Sequence, residues 1–281
     1  MQKNLLPIGV FDSGLGGLTS VREIKKIMPD EDIIYFGDTG RLPYGTRSPE
    51  IIKKYACDDM NFLLTSSVKA VLVACGTVSS TALGVLRDTF DLPIFGVVEP
   101  AAQSACRETA CGRIAVLATP STVRTGAFER EINKISPKAE VMSVGCPMFV
   151  PLVENGYIQA ENPVTRHIVR EYLSNLKDFR PDVIILGCTH YPIIRDIIHD
   201  QALDMIGEVS IVDSGASGAM AVKGYLEKNG LLTSEKCGRA TYYVSDEPHG
   251  FENTATLFLG EAVKDAVRIN IDDYLYEKSA K

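Results

Sequence analysis

The chain has 281 residues, enough for one large domain or two small ones with a sizeable buried core. Its 45% apolar and 23% charged residues are those of a folded globular protein and exclude a disordered chain. The net charge of −7, with no long basic run, argues against a nucleic-acid backbone as the main partner.

No apolar run approaches the ~20 residues that a bilayer requires. The first residues, with one lysine and a very short apolar stretch, do not read as a secretory signal. Seven cysteines at irregular spacing fit reduced thiols in a cytoplasmic protein.

Along the chain, short apolar runs alternate with amphipathic ones. The runs starting at Ile8, Ile33, Ala70 and Ile94 predict four buried strands, the last reaching Val98. Helices are expected over Leu18–Ile27 and over about Pro49–Thr65. The series then restarts, with strands at Ile114, Val141, Val183 and Val209 and a helix around Phe128–Ile132. Corresponding points in the two series lie 106 to 114 residues apart, a drift that loop insertions between two copies of one unit would produce. A helix over Gly215–Asn229, a strand over Cys237–Val244 and a final helix over Phe251–Val263 complete the reading, with a frayed charged tail. Strands alternating with helices predict mostly parallel sheets, here in two similar α/β lobes with a cleft between them. Residues 1–98 with 212–281 are expected to form the first lobe, and residues 99–211 the second.

In such sheets, ligands gather at the carboxyl ends of strands. Those ends carry Asp12, Ser13, Asp38, Cys75 and Thr77 in the first copy, and Cys188, Thr189 and His190 in the second. The glycine-rich turn Gly14–Gly17 fails the dinucleotide pattern and reads either as an anion-binding turn or as a site of tight packing. Metal-ligand spacing is absent. Cys57, Cys106 and Cys111 read as small core residues, the last two on one helix, and Cys146 is ambiguous before Pro147.

A single buried cysteine is ordinarily a small hydrophobe, but Cys75 and Cys188 occupy equivalent strand ends in the two copies. A helix N-terminus beside each would lower the thiol pKa from about 8.5. Two thiols facing each other across a pseudo-twofold axis suit inversion at a carbon next to a carboxylate, one removing a proton while the other delivers one.

The segments Gly9–Gly17, Phe36–Thr39, Pro43–Gly45, Ala74–Thr77 and Gly187–Pro192 together resemble the glutamate racemases of the aspartate/glutamate racemase superfamily, over nearly the whole chain. The resemblance implies racemisation of L- and D-glutamate without metal or cofactor, by Cys75 on the D side and Cys188 on the L side. It implies that Asp12 and His190 assist the two cysteines, Asp12 also meeting the substrate ammonium, and that Asp38 tunes the Cys75 side. Ser13, Tyr44 and Gly45 would bind the side-chain carboxylate, and Thr77 and Thr189 the α-carboxylate and amino group. Glu154 lies in a segment the family carries near its cleft. Gly76 stands where the family has asparagine. It reads as a positive-φ turn residue or as a lost amide, and Gly76→Asn would then tighten binding or leave it unchanged. The resemblance further implies a role in peptidoglycan precursor supply and leaves a homodimer open; charge and apolar run length predict no nucleic acid required for activity and no membrane partner. An aspartate racemase, a catalytically silent protein-binding module on the same scaffold, and a thiol-redox or metal-binding protein are the alternatives.

Overall fold

The computed structural model describes residues 3–233 and 238–276. Its first half runs β1 (Ile8–Asp12), α1 (Leu18–Ile27), β2 (Ile33–Gly37), α2 (Pro49–Leu64), β3 (Ala70–Val73), α3 (Gly76–Thr81), α4 (Leu83–Thr89), β4 (Ile94–Gly96) and α5 (Val98–Glu108). The series then repeats as β5 (Arg113–Ala118), α6 (Pro120–Thr125), α7 (Ala127–Ile135), β6 (Glu140–Gly145), α8 (Phe149–Glu154), α9 (Pro163–Ser174), β7 (Val183–Leu186), α10 (Arg195–Met205) and β8 (Ser210–Asp213). The chain ends with α11 (Ser214–Lys228), β9 (Ala240–Val244), α12 (Pro248–Leu259) and β10 (Val267–Arg268).

Two parallel sheets result, a six-stranded one ordered β10-β9-β2-β1-β3-β4 and a four-stranded one ordered β6-β5-β7-β8. Every strand pairing in both is parallel. Helices cover the sheets, so the central strands are buried along their whole length, as in Ala70–Val73 and Val183–Leu186.

The order β2-β1-β3-β4 recurs as β6-β5-β7-β8, which bears out the reading of two similar lobes. The register makes the match residue by residue. Phe11 pairs with Val73 in one sheet, and Leu117 with Leu186 in the other. The next amides also agree: Ala74 N donates to Phe11 O at 2.9 Å, and Gly187 N to Leu117 O at 2.8 Å. Cys75 and Cys188 therefore occupy the same place, two residues past the ends of β3 and β7.

Several boundaries differ from expectation. The fourth strand stops at Gly96, and Val98 already opens α5. β8 carries residues 212 and 213 into the second sheet, two residues past the expected crossing. The strand expected from Cys237 begins at Ala240; residue 237 lies outside the described residues, as do the last five of the charged tail. Cys106 and Cys111 do not share a helix. α5 ends at Glu108, and the Asp182 carboxylate accepts from the amides of Ala110 and Cys111 at 2.7 Å each, holding Cys111 in an exposed turn. Cys57 is buried as expected.

Candidate active site

A cavity of about 640 Å³ opens at the carboxyl ends of both sheets. Its size falls within the roughly 300–1,000 Å³ of small-molecule sites. Its walls come from the two halves of the fold: Ser13, Tyr44, Gly45 and Cys75–Thr77 from one, and Thr119, Cys146, Glu154 and Gly187–His190 from the other. The site residues expected from the sequence converge here, with Asp12 and Asp38 placed behind the wall.

Cys75 caps the short helix α3. The Ser13 hydroxyl lies 3.4 Å from its sulfur. Asp12 ends β1, almost fully buried, with one carboxylate oxygen accepting from the Gly14 amide at 2.9 Å and the other without a partner among the described residues. The expected lowering of the Cys75 pKa is overturned. Burial and the negative charge of Asp12 push it up to about 12, against the opposing hydrogen bonds from Ser13 and the Val78 amide. Burial likewise raises the Asp12 carboxyl, and His190 partly opposes it.

The Cys188 side is built differently. No α-helix starts at Cys188; a 3₁₀ turn, Tyr191–Ile194, follows instead. His190 Nδ1 lies 4.0 Å from the Cys188 sulfur, and His190 Nε2 lies 2.9 Å from a Glu154 carboxylate oxygen. Burial pulls the imidazole pKa down, but Cys188 and Glu154 outweigh it and raise it to about 10. The ring therefore holds its proton more tightly than an ordinary imidazole, beside the Cys188 sulfur.

This has a stability consequence. The folded pKa of His190 exceeds its ordinary 6.5, so its contribution is complete below about 6.5 and is lost as pH rises through about 10. Glu154→Gln should move the His190 titration, followed by NMR of the ring protons, down toward the ordinary value. An unchanged titration would mean that Glu154 does not hold the proton there.

Asp38 does not line the cavity. It accepts from Arg41 Nε at 2.5 Å, from the Tyr44 hydroxyl and from the Ser245 hydroxyl at 2.7 Å. Arg41 also donates to Asp58 at 2.8 Å and Asp59 at 2.7 Å, and its guanidinium stacks 4.1 Å from the Tyr55 ring centroid. This buried cluster anchors Tyr44, which lines the cavity. Neither Arg41 nor the two helix aspartates was singled out from the sequence.

Thr119 and Thr122 were also missed. With Thr77 they form a hydroxyl triad spanning the two halves, at 3.2 Å, 3.4 Å and 3.0 Å. A signal for Thr119 was present, because adding the first copy-to-copy offset of 106 to Ser13 lands on it. Cys146 is buried in the cavity wall, its amide donating to Ala118 O at 2.8 Å, as the Asp38 amide donates to Asp12 O at 3.0 Å. It is thus the counterpart of Asp38.

The glycine-rich turn serves packing. None of Gly14, Gly16 and Gly17 lines the cavity, and a Cβ on Gly16 would lie 2.1 Å from Thr189 Oγ1 and 2.5 Å from His190 Nδ1. Gly76 is not a positive-φ residue, which corrects that reading. It is the first residue of α3, and its missing side chain leaves room for the Gly187 carbonyl.

Comparison with known proteins agrees with this geometry. Residues 19–222 match the family model described as Asp/Glu/Hydantoin racemase. The glutamate racemase of Geobacter metallireducens is 42% identical over 94% of this chain and 97% of its own length. The crystal structure of the Francisella tularensis glutamate racemase in complex with D-glutamate superposes with a TM-score of 0.88, at 35% identity, over 96% of this chain and 100% of that one. The Thermus thermophilus enzyme in complex with β-chloro-D-alanine gives 0.85 at 37% identity, over 96% and 99%. With two thiols at matched strand ends of twinned parallel sheets, and these similarities over nearly its full length, the chain belongs to the Asp/Glu/hydantoin racemase family.

Proposed function

We propose that the protein is a glutamate racemase working by two opposed thiols without a cofactor. The observation that carries this reading is the placement of Cys75 and Cys188 at equivalent registers on opposite walls of one cavity. The names of the relatives supply the substrate.

The surroundings of the two thiols differ. Cys75, with its raised pKa, enters as the protonated thiol. Cys188 has the His190 ring nitrogen 4.0 Å from its sulfur as a proton-holding partner. With L-glutamate bound, Cys188 takes the Cα proton and Cys75 delivers its own to the opposite face. In the reverse direction the Asp12 carboxylate assists removal of the Cys75 proton, and His190 supports Cys188 as the acid. The developing carbanion is adjacent to the α-carboxylate, which the hydroxyls of Thr77, Thr119 and Thr189 hold. Ser13, Tyr44 and Gly45 take the side-chain carboxylate. Asp38 acts on the Cys75 side by fixing Tyr44 rather than by meeting substrate. Burial of both thiols keeps water from quenching the intermediate.

The product D-glutamate would supply peptidoglycan precursors in the cytoplasm, where free thiols such as these persist. Glutamate is the small-molecule partner. Lobe boundaries near residues 98 and 212, and a homodimer, belong to the same reading. No described helix is long and apolar enough to cross a membrane.

The direct test is racemisation of L- and D-glutamate followed by circular dichroism in D₂O, with deuterium at Cα read by mass spectrometry. Loss of optical rotation with one deuterium per product molecule is expected from each enantiomer. Inert glutamate beside turnover of aspartate would replace the substrate assignment.

A second expectation concerns entry. Among the described residues, Arg124, exposed on α6, is the single Lys or Arg lining the cavity, and it makes no ion pair or hydrogen bond there. In a chain of net charge −7, it would attract a dicarboxylate to the cavity mouth. Arg124→Gln should lower kcat/KM by about three- to tenfold at low salt, with kcat little changed and the difference fading at high ionic strength. A salt-independent loss would assign Arg124 a role other than steering.

A further inference from the structure

The residue after one thiol touches the residue before the other. A Cβ placed on Gly76 would lie 2.4 Å from the Gly187 carbonyl oxygen and 3.4 Å from its carbonyl carbon. Gly76 follows Cys75 on the first sheet's side of the cavity, and Gly187 precedes Cys188 on the second's. The contact is backbone against backbone, so no flexible side chain can yield to an added methyl. The Gly187 side is equally tight. A Cβ there would lie 2.9 Å from the Phe128 ring and 3.1 Å from the Ala118 methyl, so a side chain at 187 would be crowded as well. The two thiols also sense each other, since the charge of Cys188 contributes to the raised Cys75 pKa.

We infer that Gly76 is a positioning residue: its bare backbone, seated on the Gly187 carbonyl, sets the distance between the two thiols and lets both reach one substrate carbon at once. With glycine where the family has asparagine, the walls of this chain meet backbone to backbone, and a side chain restored at 76 would hold them apart beside the sulfurs. This rests on the two-thiol racemase reading given above and deepens it. It also reverses the sequence expectation for Gly76→Asn. Asparagine brings a Cβ into the 2.4 Å contact, so the variant should lose activity rather than gain affinity.

Inversion needs both sulfurs in register with one carbon, whereas β-elimination from a chlorinated glutamate analogue needs only abstraction by one of them. Separating the thiols should therefore damage the two reactions unequally. The experiment compares wild type, Gly76→Ala and Gly76→Ser in both assays. Gly84→Ala serves as a control, because a Cβ there meets nothing within 4 Å. Gly76 opens a helix with ordinary φ, so alanine and serine are compatible with its backbone, and circular dichroism melting verifies folding.

The expected result is a racemisation kcat at least about tenfold lower in both Gly76 variants, with a much smaller change in KM. Elimination from each analogue enantiomer should stay within about threefold of wild type, and Gly84→Ala should match wild type in both assays. Equal loss of the two reactions, or unchanged racemisation in a folded variant, overturns the inference alone. A wild-type protein that fails to racemise glutamate overturns the underlying functional reading, and the inference with it.

Discussion

Replacing Cys75 with serine should abolish proton abstraction from D-glutamate while leaving the opposite face of the site competent, and Cys188→Ser should do the reverse. Serine keeps the shape of the side chain but is a far weaker base than a thiolate. Removing a positioned acid or base typically costs 10²–10⁴-fold, so racemisation should fall by about that factor in both variants. Elimination from a β-chloro analogue separates the two faces. Cys75→Ser should retain it with the L analogue only, and Cys188→Ser with the D analogue only. The burial of both sulfurs makes accidental replacement by bulk water a poor alternative. If one variant loses elimination from both enantiomers while the other loses neither, a single base serves both faces and the two-thiol mechanism fails.

The second large effect lies outside the cavity, at Arg41. Its guanidinium neutralises a cluster in which Asp38, Asp58 and Asp59 are all fully buried. Arg41→Met fills much of the same volume but strands these carboxylates, and breaking a buried pair in this way costs about 3–5 kcal/mol. The loss should appear as a lower denaturation midpoint in urea. Its pH dependence follows from Asp59, whose carboxyl is pushed well above the usual range by burial and then by Asp38, with Arg41 pulling it back. An acid whose folded pKa exceeds its unfolded one loses stability as pH rises between the two. Without Arg41 that slope should steepen, and acidification toward the unfolded value should recover part of the loss. A deficit below about 1 kcal/mol, or one independent of pH, would mean the cluster is already neutralised by its own protons. Because Tyr44 hangs on the same carboxylates, the variant should also show weaker substrate binding.

What the sequence revealed follows from how each element is stabilised. Strands such as Ala70–Val73 and Val183–Leu186 are buried on both faces, so they appear as unbroken apolar runs between turn residues. α1 and α2 carry apolar faces at helical spacing, and their first ends and lengths match expectation closely. α3 gave no such signal. Its six residues, Gly76–Thr81, include Val and Thr side chains that favour strands, and it is held by the Cys75 cap and by packing against α6 and α2. The site was legible where chemistry-bearing residues sit at strand ends, as with Asp12, Cys75 and Cys188. It was illegible where the role depends on a distant partner. Nothing local to Asp58 or Asp59 announces Arg41, nothing local to Gly76 announces the Gly187 carbonyl, and the burial that raises the Cys75 pKa is a property of the closed cavity rather than of the motif.

The twinned sheets carry a consequence for reversibility. Two copies of an L-polypeptide are related by rotation and never by reflection, so no duplication can present mirror-image walls to mirror-image ligands. The unequal ends of β1 and β5 express this: Asp12 stands where its counterpart is Ala118, and the charge facing Cys188 arrives instead from His190 and Glu154. Enantiomers in water nevertheless have identical free energies, so a racemase must show the same kcat/KM in both directions. Whatever the two walls do differently can then surface only as paired changes, a higher turnover for one enantiomer matched by a proportionally weaker hold on it.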